Sequence, residues 1–400
     1  MTKIRTIIFA LLAALACHVP APAQGDAPPV ERDEEARTVR VRLERGAKVE
    51  VDNRTTGRIV VSGWDRDYVE AVATSERGRE YVRAYSGRDP SGQRVSLTAD
   101  YLTPEKRLPN PPDEGPKSVP PAPAATPASP AQGGVEAKSQ GPPAAARTNE
   151  SVLAEAREKV FEFLFEQRPS EVHLEVKLPR YAEIELIEVN RSEVEIEGVE
   201  TPVAVNGRRS AIRLRRVGAV AVRTASGEVE VEGAGGLVDV MTESGDVNVR
   251  HVRGDVRVLS LSGEIEVECV TGRVNVNNTS GSVALARVGG DADATTVSGE
   301  IRFEGALRAD GRYHLKSMSG AVEMWLAPNP PGFTALLSSY RGQIVDGFSL
   351  KKTLKSGPNV VNNRVLGRYG NGQAQVTLDS FDGRVKLVRA APGTTAECKQ

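Results

Sequence analysis

Ten glycines, Gly218, Gly227, Gly236, Gly245, Gly254, Gly263, Gly272, Gly281, Gly290 and Gly299, follow one another at a constant nine-residue spacing. Each is followed by x-V-x-V or a close variant, as in Gly245-Asp-Val-Asn-Val and Gly263-Glu-Ile-Glu-Val. Alternation with period two places Val and Ile on one face of a strand and Glu, Asn and Arg on the other. Four or five residues of strand leave room for one corner per unit, where glycine supplies backbone angles that other residues avoid. A second period lies on top of the first: Ser precedes Gly at 226, 244, 262, 280 and 298, while the intervening units carry Gly235, Arg253, Thr271 and Gly289. Two alternating flavours predict a rung of two strands and two turns. The fold class is therefore all-β, a parallel β-solenoid or β-helix of nine-residue strand-turn units with 18-residue rungs, flattened into two sheets.

The register runs backward without glycine through Ser210-Ala-Ile-Arg-Leu, Thr201-Pro-Val-Ala-Val and Ser192-Glu-Val-Glu-Ile. Later copies are separated by insertions, at Ser319-Gly320, Arg341-Gly342 and Asp382-Gly383. One rung buries about four aliphatic side chains at roughly 2 kcal/mol each. Ordering its backbone costs roughly 1–2 kcal/mol per residue. A lone rung fails, so stacking must supply the rest. About seven rungs fit between 192 and 325, a rod of roughly 35 Å at about 4.8 Å per rung.

The remaining segments divide the chain. Residues 1–23 have the pattern of a signal peptide: Lys3 and Arg5, an apolar run from Ile7 to Ala16, and Ala21-Pro22-Ala23 before Gln24. The rival is a lipid anchor at Cys17, because Ala14-Leu15-Ala16-Cys17 resembles a lipobox. No stretch is long and apolar enough to predict a transmembrane span. A polar tail covers 24–36, and alternating strands occupy 37–103. These strands are too few to bury a core alone and are expected to stack on the start of the solenoid. Residues 104–148 are rich in Pro and Ala and are expected to be a disordered linker. Residues 149–168 carry Leu153, Ala156, Val160, Phe163 and Leu164 at helical spacing, an amphipathic helix that ends before Pro169. The solenoid fills 169–390, with atypical rungs at its C-terminal end, and a tail occupies 391–400.

At this point the chain resembles the bacterial putative-adhesin family of β-strand-repeat proteins, an exported group with a domain of unknown function. Three segments carry the resemblance: Val49 to Asp65 with its closing Trp64-Asp65, the Ser-Gly-x-Val-x-Val ladder from 226 to 303, and Gly367 to Gly383. The segment 104–168 departs from the family pattern. The resemblance implies an envelope location and an adhesin-like role, and it brings no catalytic residue with it.

The chemistry visible in the sequence is sparse. Lys plus Arg total 52 and Asp plus Glu 53, so no basic footprint for nucleic acid exists. Cys17, Cys269 and Cys398 make neither a disulfide framework nor a metal cluster. Cys269 lies 18 residues from His251, one rung above it, but no third group orients the pair as nucleophile and base. No catalytic, cofactor-binding or metal-binding residue is predicted, and no cofactor. Calcium is not expected, because the G-G-x-G-x-D turn of calcium-binding rolls is absent. Glu228, Asp246, Glu264 and Glu300 fall in one outward column, Glu230 and Glu266 in the next, and Glu232, Glu268 and Glu304 in a third. The first six form a candidate interaction face, weighed against an ordinary solvated surface. Trp64 and Trp325 are expected to pack in caps. The leading function is a non-catalytic, exported cell-envelope interaction module, adhesin-like, whose partner is an envelope or surface protein or glycan. The alternative is a structural scaffold or envelope-stress regulatory partner. A carbohydrate-active β-helix enzyme is more distant, since the ladder from 218 to 299 has no insertions to form a groove.

Overall fold

A computed structural model describes residues 37–53, 55–76, 80–90, 92–101, 171–352, 363–391 and 398. The expected signal peptide, polar tail, linker and amphipathic helix lie outside the described residues. Among the described residues the regular structure is β-strand, arranged as two sheets of fourteen and fifteen strands. We call them sheet A and sheet B. Successive strands alternate between the sheets, and each pairs in parallel with the strand one rung away, as Val247 does with Ile265 in sheet A and Val256 with Val274 in sheet B. The chain is thus the two-sheet parallel solenoid that the double period predicts. One rung is shorter than the rest: Val203 pairs with Val220 and Ile212 with Val229, one residue less than the period.

The core lies between the sheets and is built from stacked aliphatic columns. Val231, Val249, Val267 and Leu285 follow one another in sheet A, all buried. Opposing volumes compensate. Where the sheet A column reaches Phe303, the neighbouring sheet B strand offers Ala292 and Ala294, and Phe303 meets Tyr313 edge-on at 5.4 Å. Such close-packed columns tolerate neither cavities nor extra volume.

The two corners use glycine for different reasons. In the Ser-Gly corner, Gly227, Gly245, Gly263 and Gly281 have φ of 119, 117, 128 and 121°, and a Cβ there would also overlap the backbone of the rung below. In the other flavour, Gly254, Gly272 and Gly290 have no left-handed φ, yet a Cβ would strike the carbonyl of Gly236, Gly254 or Gly272. Close approach of stacked backbones, and not an unusual angle, selects glycine in that column. This corrects the sequence expectation that both columns serve the corner through their angles. The left-handed angle of the second corner falls on other residues: Arg216, His251, Cys269 and Arg287 have φ of 51 to 57°.

A buried polar column runs along the Ser-Gly corner. The hydroxyls of Thr224, Thr242 and Ser260 donate to the carbonyls of Ser226, Ser244 and Ser262, and Asn278 Nδ2 donates to the Gly263 and Gly281 carbonyls. The serines stitch rungs together: Ser244 Oγ donates to Ala225 O at 3.2 Å and Ser262 Oγ to Glu243 O at 3.3 Å. A tight corner leaves carbonyls without ladder partners, and these short side chains satisfy them.

Both ends of the rod depart from sequential order. Near the N-terminus, strand Gly57–Trp64 lies between His173–Pro179 and Ser192–Glu197, and strand Lys48–Asn53 lies between Gly92–Tyr101 and Glu183–Val189. The last described strand before residue 102, Gly92–Tyr101, is in sheet B, and the next described strand, His173–Pro179, is in sheet A. At the other end Ala374–Ser380 is sandwiched between Arg312–Ser319 and Phe333–Ser339. Antiparallel strands, Thr38–Arg42 with Tyr68–Thr74 and Phe333–Ser339 with Asn363–Tyr369, close the parallel stack. They break the repeat geometry that another rung would need for continued stacking.

Candidate interaction faces

Sheet A turns the predicted acidic columns outward. Glu228, Asp246 and Glu264 succeed one another at the edge, and Ser282 then separates Glu264 from Glu300. Glu230 and Glu266 are not neighbours: Asn248 stands between them and donates to Glu266 Oε2 at 3.3 Å. The next column alternates sign, Glu197, Arg215, Glu232, Arg250, Glu268. Ion pairs cross the columns. Arg213 reaches Glu193, Glu228 at 4.0 Å and Glu230 at 3.5 Å; Arg250 reaches Glu266 at 3.0 Å and Glu268 at 3.6 Å; Arg287 pairs with Glu268. Three of the six predicted acids, Glu228, Glu230 and Glu266, are therefore neutralised within the face. Among the described residues, Asp246, Glu264 and Glu300 have no ion-pair partner, and Asp246 accepts from the Glu264 backbone N–H at 2.8 Å. No group of three or more His, Cys, Asp and Glu placed to hold a metal ion occurs among the described residues.

Trp325 also lies outward on sheet A, half-buried, with Lys386 Nζ 3.9 Å and the Arg302 guanidinium 5.2 Å from its ring. Trp64 is half-buried at a strand end, edge-on to Tyr68 and under Arg66. Neither tryptophan is a buried cap residue. Both rings are held by cations on the surface instead.

Sheet B presents a different surface. The position before the corner serines carries Glu243, Leu261, Thr279, Val297 and Met318 in turn, of which Leu261, Val297 and Met318 are 56, 45 and 57% exposed, and Phe381 and Tyr340, stacked at 4.7 Å, follow. Met241 and Leu259 are exposed in the adjacent column. This apolar strip escaped the sequence analysis, although the 18-residue period marks it: every second unit has its pre-serine residue on the same line. Some charges on this face pair within the chain, Asp293 with His314 at 3.4 Å and Glu185 with Lys48 and Arg94, and others do not. Among the described residues Arg223, Asp239, Glu243, Arg257, Lys316 and Asp379 have no ion-pair partner. At the edge, Asp255 accepts from the Arg273 backbone N–H at 2.8 Å, which, with the Arg273 guanidinium, holds its carboxyl below the usual range.

The second corner forms a groove of about 1020 Å³ beside Arg216, His251, Cys269 and Arg287. Cys269 and His251 do sit one rung apart, but Cys269 is joined to Cys398 by a disulfide. The sequence predicts no disulfide framework from its three cysteines, and two of them are nonetheless joined. Spacing alone could not show it, since the partner lies 129 residues away. A bonded sulfur cannot serve as the nucleophile of a Cys–His pair.

These features define a protein class: a two-sheet parallel β-solenoid with regular faces. The model of the Toastrack DUF4097 family matches residues 154–388, more than half of the chain, and the chain belongs to that family. The opening segment Val49 to Asp65 lies outside the matched residues. No curated protein matches the chain. A crystal structure of a putative cell adhesion protein from Clostridium sporogenes aligns over 88% of this chain and 99% of its own at 9% identity, with a TM-score of 0.16. At that score the likeness carries no argument here. No helix among the described residues is long and apolar enough to cross a membrane.

Proposed function

We propose that this protein is an exported, non-catalytic interaction module of the cell envelope, adhesin-like, which uses the flat faces of its solenoid to hold a protein or glycan. The observation that carries this reading is the pair of long, uninterrupted faces. Rungs from Gly218 to Gly299 repeat without a loop insertion, so the rod offers broad planar surfaces where an enzyme of this architecture builds a walled cleft. The Cys269–Cys398 disulfide supports export, because such bonds persist in oxidising compartments. The segment 1–23 supplies the matching leader, with lipidation at Cys17 as the competing route to the envelope. Glu264 and Glu300, uncompensated acids of sheet A, are the members of the acidic columns best placed to meet a basic partner. The exposed apolar strip of sheet B supports the scaffold reading as the second choice.

Proximity cross-linking in the native envelope tests the proposal. A photoreactive residue at Glu264 is expected to attach an envelope protein or glycan. Recovery of the chain from the cytoplasm, or attachment to soluble cytoplasmic proteins alone, would overturn it.

A further inference from the structure

The outward face of sheet B has a charge order that reverses about its centre. Across five consecutive rungs one column is Asp239, Arg257, Asn275, Asp293, His314. Inverted end to end, each acid meets a base and each base an acid, with Asn275 on itself. The neighbouring column begins at Arg223, passes Met241, Leu259, Asn277, Thr295 and Lys316, and ends at Asp379. Its inversion sets Arg223 against Asp379, Met241 along Lys316 and Leu259 on Thr295. In the column before the corner serines the same operation sets Leu261 on Val297, Thr279 on Thr279 and Glu243 beside Met318.

We propose that this face is an isologous interface between two copies of the chain, packed antiparallel about a two-fold axis at Asn275, Asn277 and Thr279. Such an axis, parallel to the strands, keeps each column opposite its own counterpart and makes every contact occur twice. Other registers fail. A shift of one rung one way opposes Asp239 with Asp293; the other way it sets Arg257 against His314. An axis along the rod puts Arg257 over Leu261. Seven rungs of about 4.8 Å and strands of about 7 residues give roughly 750 Å² per copy, the size of a stable interface. The pattern favours a second copy over an unrelated protein, which has no reason to mirror it. The inference does not depend on the ligand of the proposed envelope role.

Analytical ultracentrifugation of the full chain, in the form the cell leaves it, tests the proposal. A dimer is expected. Leu261→Asp should raise its dissociation constant at least about tenfold, as should Arg257→Asp, which opposes two aspartates at each symmetric pair. Arg257→Asp combined with Asp293→Arg should recover most of the loss. Thermal melting identifies any variant that misfolds. As an independent readout, Thr279→Cys should give a covalent dimer with a short bis-maleimide, and Asn248→Cys on sheet A should not. A monomeric wild type, a dimer indifferent to Leu261→Asp, or cross-linking through position 248 would overturn the interface. Folded charge variants without rescue would overturn the antiparallel register.

Discussion

A single residue in this rod is judged by the side of the sheet it faces. Val267 is fully buried between stacked aliphatics, while its neighbour Glu266 is exposed. Val267→Asp should unfold or aggregate the protein, because it buries an unpaired carboxylate. Glu266→Ala loses an exposed ion pair with Arg250 and should stay within about 0.5 kcal/mol of wild type. Equal thermal shifts for the two would contradict the register. The glycine columns separate by mechanism. Gly263→Ala combines a left-handed φ of 128° with overlap on Gly245, whereas Gly272→Ala meets overlap on the Gly254 backbone and the Asp255 carboxylate without a left-handed φ. Both should destabilise by more than about 1 kcal/mol, Gly263→Ala the more strongly. Denaturant midpoints for the two variants rank them; a smaller shift at Gly263 would refute the division.

At the scale of elements, the notable tie is the disulfide that fastens the tail to the middle of the rod. Loop-closure entropy for a bridge of 129 residues amounts to about 5 kcal/mol at most. Cys398→Ser should therefore lower the melting temperature, and reductant should lower wild type to the same level. A non-reduced digest should contain a peptide joining Cys269 to Cys398. Separate, alkylatable thiols at both positions in protein taken from the envelope would contradict the bond. The corner column of Thr224, Thr242 and Ser260 is a second tie. Thr242→Val keeps the volume and strands the Ser244 carbonyl, a loss of roughly 1–3 kcal/mol.

For the whole molecule, the question is whether the N-terminal strands and the ladder are one body. Strand Gly57–Trp64 is hydrogen-bonded on both edges to strands that follow residues 102–170. Limited proteolysis should cut first within 104–148, where Pro and Ala-rich sequence is accessible. The two fragments should then co-elute on a sizing column, since separating them would tear a strand from the interior of sheet A. Two folded fragments that elute apart would show independent domains.

Periodicity made most of the solenoid legible in advance. Gly, Val and Ser recur at nine and eighteen residues because every rung solves the same local problem, a half-buried strand and a tight corner. The solenoid class, the inward columns and the outward acids follow from that. Three things do not. The order of strands at both ends depends on which edges are free to pair, a non-local choice that the repeat does not encode. The union of Cys269 with Cys398 depends on where a distant tail returns. The partial neutralisation of the acids depends on the rung offset, 17 residues from Arg213 to Glu230 and 18 from Arg250 to Glu268, a neighbourhood that exists only once rungs are stacked. Sequence determines a repeat when its energy is local; stacking decides which side chains meet across it.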